Sequence, residues 1–281
     1  MKKRLDTILV ERGLFNTRSQ AAAAVMAGEV SVAGQSVTKA GAQVAPDVEI
    51  TLREEPRFVS RGGLKLERAF QEFPLDVEGK AAIDVGASTG GFTDCLLQHG
   101  ARKVIAVDVG YGQLDWKLRQ DPRVEVLERT NVRGLTPLML SEPPEFATFD
   151  LSFISLKKVF PAVIKCLSSG FRIVALIKPQ FEAGRGSVGK GGVVRDPEVH
   201  RQVLAGIWDY AEESGLTVMG LTGSGVRGPK GNIEYLIYLA DGWQAAETAA
   251  PEVPAKAAEP AKPPERDSTV DKILNQGDRS W

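Results

Sequence analysis

Hydrophobic positions along the chain change their spacing near residue 55. Before that point Leu5, Ile8, Leu9 and Leu14 fall on one helical face, and Arg18–Ala27 predicts a second helix that Gly28 is suited to stop. Three short alternating runs follow, Val30–Val32, Gln35–Val37 and Val48–Leu52, with Ala33-Gly34 as a turn. Together these predict a small α+β module over residues 1–55. The polar stretch Glu54–Ser60 marks a linker, placed at 56–62.

From Gly63 the pattern lengthens. A helix to about Phe73 carries Leu64, Leu66, Ala69 and Phe70 on its apolar side. Apolar runs near 81–85, 103–108, 124–127, 146–150 and 171–178 follow, with helical stretches between most of them. That alternation predicts an α/β unit over 63–242, an open and mostly parallel sheet covered on both faces. Leu216–Leu221 and Ile233–Leu239 leave no room for a helix between them, so an antiparallel hairpin is expected to close the sheet. From Trp243 the composition shifts to Ala, Pro, Glu and Lys, the signature of a disordered tail over 243–281. The apolar residues within Asp271–Asn275, and Trp281, offer a second reading as a segment that docks on a partner.

The net charge of −1 makes no general case for nucleic acid, but its distribution does. Through Lys65 ten basic residues face seven acids, concentrated at the start and at 53–65. Cys95 and Cys166 read as small buried hydrophobes of a reducing compartment. His99 and His200 have no metal-ligand spacing with them, so no metal is expected. Asp6, Glu11 and Arg12 interrupt any signal-peptide core after Lys2-Lys3-Arg4, and no run of about 18 apolar residues exists. A cytoplasmic protein without membrane contact is expected.

The candidate chemistry begins at Asp84-Val-Gly-Ala-Ser-Thr-Gly-Gly-Phe92. An apolar strand ends on an acid, breaks into a glycine turn and resumes as a helix, bringing backbone N–H groups to the mouth of the sheet. Gly86, Ala87, Ser88, Thr89, Gly90, Gly91 and Phe92 would line the ligand. Asp108, about 20 residues on, is placed for the hydroxyls of a ribose, with Val109 beside it. The spacing departs from Gly-x-Gly-x-x-Gly, so no pyrophosphate seat is required. Asp84 and Asp108 suit a cationic, phosphate-free ligand such as S-adenosylmethionine, and Asn131 is placed near the adenine edge. Asp150 and Lys178 end strands on the same predicted rim, and Glu234 opens the hairpin strand. A lysine ending so apolar a strand needs a partner, for which Asp150 and Glu234 are candidates.

With Lys65, these residues resemble the Lys-Asp-Lys-Glu tetrad of FtsJ-like ribose 2′-O-methyltransferases. Ser60-Arg-Gly-Gly-Leu-Lys65, the glycine turn, Asp150-Leu-Ser-Phe-Ile154 and Ile177-Lys-Pro-Gln-Phe-Glu182 sharpen the match. The N-terminal words Arg4-Leu-Asp6, Arg12-Gly-Leu14, Thr17-Arg18 and Gly28–Gly34 are similar to the RNA-binding fold named after ribosomal small-subunit protein four. Over residues 3–240 the chain resembles the TlyA family, often labelled hemolysin A.

The resemblance implies a Rossmann-like class I methyltransferase with a seven-stranded sheet. It implies methyl transfer from S-adenosylmethionine to a ribose 2′-hydroxyl, of cytidine, in large-subunit and in some members small-subunit ribosomal RNA. Lys178 would be the base or would orient the hydroxyl, Asp150 and Glu234 would hold it, and Lys65 would position the RNA. Lys2, Lys3, Arg4, Arg12, Arg18 and Arg61 would contact RNA. So would Arg185 and Lys190 in the glycine-rich segment 183–193, read as a lid. A non-catalytic ribosome-assembly factor is the alternative. Membrane lysis finds no basic amphipathic helix to support it.

Overall fold

The computed structural model describes residues 2–53, 56–242 and 263–275, and divides the chain into two units, Met1–Arg57 and Phe58–Trp281. The expected linker residues Glu54 and Glu55 lie outside the described residues.

The first unit runs β1 (Lys3–Arg4), α1 (Leu5–Glu11), α2 (Arg18–Met26), β2 (Val30–Val32), β3 (Gln35–Ser36), β4 (Gln43–Val44) and β5 (Ile50–Leu52). Strand β2 lies between β3 and β5, antiparallel to both, and β1 pairs with β4. Leu5, Leu9, Ala21, Val25 and Val30 form its core. The Thr17 hydroxyl accepts from the Gln20 N–H at 3.2 Å and starts α2, as an N-cap should. Leu14 does not share the face of α1. That helix ends at Glu11, the chain reverses through Gly13, and Leu14 is 38% exposed. Strands β1 and β4 escape the sequence because two residues are too short to alternate.

The second unit opens with α3 (Gly62–Glu72), β6 (Ala81–Val85), α4 (Gly91–Gln98), β7 (Lys103–Val107), α5 (Trp116–Gln120), β8 (Val124–Leu127) and β9 (Phe146–Phe149). It continues with α6 (Phe160–Ile164), β10 (Arg172–Ile177), α7 (Pro179–Glu182), α8 (Pro197–Glu213), β11 (Leu216–Gly223), β12 (Tyr235–Asp241) and α9 (Arg266–Asn275). Seven strands form one sheet in the order β11-β12-β10-β9-β6-β7-β8. Among them β12 is antiparallel to both its neighbours, and the hairpin it makes with β11 closes one edge. Alternation along β6 shows why both faces are covered. Ile83 and Val85 join one core with Phe149, Phe160 and Trp208, whereas Ala82 joins the other with Leu66, Phe92 and Leu96. No described helix is long and apolar enough to cross a membrane.

The expected tail needs correction. Residues 266–275 form α9, which buries Val270 and Ile273 in the core beside α8 and β11. Arg266 pairs with Asp209 and Arg201 with Asp271, fixing the helix to α8. The segment docks on its own chain. Trp281 and residues 243–262 lie outside the described residues.

Candidate functional site

The C-terminal ends of β6, β7, β9 and β10 carry the chemistry onto one rim. Two glycines make the approach possible. A Cβ on Gly86 would lie 2.7 Å from the Asp150 carbonyl oxygen, and one on Gly91 would lie 2.7 Å from the Gly63 nitrogen. The first close contact seats the turn against the end of β9. The second lets α4 cross α3 near Lys65.

Beside this turn lies a groove with two lobes that share Gly86, Ser88, Asp150 and Ser152. One lobe contains Lys65, Lys178, Ser60, Arg61 and Phe92. The other contains Asp108, Val109, Asn131, Val132 and Phe153.

The tetrad forms two ion pairs, divided differently from expectation. Lys178 Nζ lies 2.6 Å from Asp150 Oδ1 and donates to Ser152 Oγ at 3.2 Å. Glu234 does not hold Lys178. Its Oε2 accepts from Lys65 Nζ at 2.6 Å, with both side chains buried. Lys65 therefore stands in the wall of the groove with its charge already matched. Arg61 is exposed at the start of α3.

Asp84 also departs from expectation. Its side chain is fully buried and absent from the groove lining, with Thr93 Oγ1 donating at 2.7 Å and Thr148 Oγ1 at 2.9 Å. Burial pushes its carboxyl up to about 7, even though both hydroxyl bonds favour the charged form. Asp84 ties α4 to β9 and shapes the turn from behind. Asp108, unlike Asp84, lines the groove. It accepts from the Ser88 N–H at 2.8 Å and the Gly110 N–H at 2.7 Å, two bonds that aim the carboxylate. Asn131 uses its Oδ1 to cap a short 3-10 turn by accepting from the Arg133 N–H at 3.2 Å.

Sequence reasoning missed Ser152, Gln113, Arg227 and Phe153. Gln113 accepts weakly from Ser88 Oγ at 3.4 Å, and Arg227 lines the Lys178 lobe. Phe153 is 90% exposed with φ +65°, tilted against Phe181 at a ring separation of 5.0 Å. A large aromatic residue held left-handed and open to solvent is costly for stability, which marks it for a role. The word Asp150-Leu-Ser-Phe was legible; the backbone conformation was not.

The glycine-rich segment is tied at its C-terminal end by Asn232. Asn232 accepts from the Val194 N–H at 3.0 Å and donates to the Gly192 carbonyl at 2.9 Å. Arg185 begins a 3-10 turn, Arg185–Ser187, and its side chain lies outside what is described; Lys190 is exposed. In the first unit, Arg4 and Arg18 both bond Asp6, at 2.6 and 3.2 Å. Lys3 pairs with Glu11 at 2.8 Å, Arg12 donates to the Pro46 carbonyl at 2.6 Å, and Lys2 is exposed. Asp6, held well below the usual carboxylate range by the Arg4 hydrogen bond, organises this basic face and was not anticipated.

Cys95 and His99 do approach one another, because Glu67 joins them from α3. Donor atoms of the three lie within 4.8 Å. His99 Nε2 is 2.8 Å from Glu67 Oε2, and Phe70 stacks on the ring at 3.7 Å, which accounts for the cluster as packing between α3 and α4.

Residues 58–240 match the family described as FtsJ-like methyltransferase, and residues 3–50 match the S4 domain. YqxC of Bacillus subtilis, whose name marks it as a candidate rRNA methyltransferase, is 52% identical over 85% of this chain and 85% of its own length. The 16S/23S rRNA (cytidine-2′-O)-methyltransferase TlyA of Mycobacterium tuberculosis is 46% identical over 85% of this chain and 90% of its own. A solved structure from Streptococcus thermophilus, described as a candidate hemolysin, is 42% identical with TM-score 0.70, covering 98% of this chain and 95% of that one.

Proposed function

This chain belongs to the FtsJ-like methyltransferase family, and from that premise we propose that it transfers methyl from S-adenosylmethionine to a cytidine ribose 2′-hydroxyl of ribosomal RNA. The observation that carries the reading is the pair of ion pairs, Lys65–Glu234 and Lys178–Asp150, built into one rim beside the glycine turn. The first unit, with its S4 domain match, is the natural RNA-binding module. The cytoplasm, where ribosomal subunits are found, is the compartment this reading implies.

The groove residues fit the methyl donor. Asp108 offers its remaining lone pairs to ribose hydroxyls, Val109 and Val132 flank an apolar slot, and Asn131 stands at its edge. When bound, the donor supplies an electrophilic methyl carbon on a sulfonium centre. The acid nearest to both lobes is Asp150, so its charge serves Lys178 and suits a sulfonium alike.

A ribose hydroxyl is a weak nucleophile and must be aimed, its proton passing to the solvent that reaches the partly exposed Asp150 side chain as the oxygen–carbon bond forms. The Lys178 ammonium has three hydrogens. Asp150 and Ser152 engage two, which leaves one to point at a hydroxyl oxygen and stabilise its developing negative charge. Lys65, fixed by Glu234, adds a second cation to the same lobe and favours a phosphate or hydroxyl oxygen there. Phe153 offers a face on which a base can stack at the groove mouth.

The test is transfer of tritiated methyl to unmodified ribosomal subunits, followed by mapping of 2′-O-methyl positions. Lys178→Ala should abolish transfer and leave S-adenosylmethionine affinity intact. Retained activity would overturn the assignment.

A further inference from the structure

Behind the Lys65–Glu234 pair lies a second cleft, of about 460 Å³, that the methyl-transfer chemistry does not use. Along the segment entering β12, alternate side chains point to opposite sides. Glu234 turns toward Lys65, while Ile233 and Tyr235 line the second cleft. One chain segment thus separates the two spaces, and Arg227 lines both.

The cleft is basic at its rim and apolar on its floor. Arg195, Arg227 and Lys230 supply three cations, and all three are exposed. Lys230 reaches across Gly192, where a Cβ would sit 3.7 Å from its Nζ. The acid beside Arg195 is occupied: Asp196 caps α8 by accepting from the Glu198 N–H at 2.9 Å. On the floor, Tyr235 and His200 satisfy one another at 2.8 Å, and His200 Nε2 bonds the Val194 carbonyl at 3.1 Å. Their polar atoms are therefore spoken for and both rings are buried, so the apolar surface the cleft presents comes from Val193, Pro197, Ile233 and Leu274. Ile273 and Leu274 of α9 complete the wall.

Cations at a rim beside apolar surface suit a single-stranded nucleotide, phosphate on the charges and base against the aliphatic side chains. We infer that this cleft binds a nucleotide flanking the methylated one, with its phosphate on Arg195, Arg227 and Lys230. The inference rests on the RNA-methylating reading above. It gives α9 a purpose, as one wall of an RNA subsite.

The full chain is compared with Arg195→Ala/Lys230→Ala and with Lys230→Glu, none of which removes a groove residue. Anisotropy of a labelled ribosomal RNA transcript is followed across a salt series, beside the KM for RNA in methyl transfer. The double variant should bind RNA about tenfold more weakly, with a salt dependence shallower by about one unit. S-adenosylmethionine affinity and melting temperature should stay as in the parent. Parental RNA affinity and salt slope in both variants would overturn the subsite while leaving the methyltransferase intact. A parent that transfers no methyl, with variants that still lose RNA affinity, would overturn the activity and uphold the subsite.

Discussion

Glu234 Oε2 lies 2.6 Å from Lys65 Nζ although 169 residues separate them, and both side chains are buried. Removing one member leaves the other as an unmatched buried charge, which costs about 3–5 kcal/mol. Glu234→Ala should lose stability on that scale in urea denaturation. The charge-free pair Lys65→Met/Glu234→Leu should recover most of the loss and still transfer no methyl. A Glu234→Ala protein as stable as its parent would mean the pair is not what closes this wall.

Ser152 holds the second bond of Lys178, at 3.2 Å and from the same short segment as Asp150. Ser152→Ala frees the ammonium to swing about the remaining Asp150 contact. One neutral bond contributes about 1 kcal/mol, so kcat should fall roughly five- to tenfold with RNA KM little changed. Single-turnover rates decide it, and an unaltered kcat would show that Asp150 positions Lys178 unaided.

Asp84 imposes a pH dependence whose sign is specific. Its carboxyl stands at about 7 in the folded protein, while an unfolded chain titrates near pH ~3.9. Between these values the unfolded chain releases the proton and the folded one keeps it. The stability this gives is complete below about pH 4 and lost as pH rises through about 7. The shift corresponds to a few kcal/mol, on the order of 4 at most. Relative to Asp84→Asn, the parent should lose melting temperature from about pH 4 to 7 and run parallel above. A constant difference across that window would sink the prediction.

Asp6 works in the opposite sense. Arg4 and Arg18 favour its carboxylate, so its stabilisation is present above about pH 4 and disappears as pH falls further. Asp6→Asn should make the first unit less stable at neutral pH and blunt its additional loss in acid. Hydrogen exchange of α1 amides reads this unit separately from the sheet. Equal acid sensitivity in both proteins would contradict it.

The parts of the fold that repeat were the legible ones. Five apolar runs with helices between most of them announce a parallel sheet because burial on both faces needs continuous apolar strands, and β6 to β10 follow that pattern, with only 3-10 turns between β8 and β9. The glycine turn was legible because close backbone approach leaves few residue choices at Gly86 and Gly91. Partner choice within the tetrad was not. Asp150 and Glu234 are both acids near a strand end, and only the inward turn of Glu234 toward α3 decides which lysine it meets. Asp84 misled for a related reason, since a strand-end acid looks the same whether it faces ligand or threonine hydroxyls. Helix α9 was obscured by the Ala/Pro-rich composition before it, although its Val270 and Ile273 carry the spacing of a buried face.

Phe153 combines two costs that a purely structural residue would shed. Its ring is 90% exposed and its φ is +65°, a region that costs a side-chain-bearing residue about 1–2 kcal/mol. Phe153→Gly relieves the backbone and should be about 1 kcal/mol more stable than Phe153→Ala. If the ring stacks a base at the groove mouth, both variants lose the same ~1–3 kcal/mol of RNA binding. The RNA KM should then rise by roughly tenfold in each, and any change in S-adenosylmethionine affinity should be equal in the two, since Phe153 also lines the donor lobe. Stability and RNA affinity therefore part company: glycine improves the first over alanine and does nothing for the second. A glycine variant that recovers RNA KM together with stability would show that backbone strain at Phe153, and not its ring, governs the site.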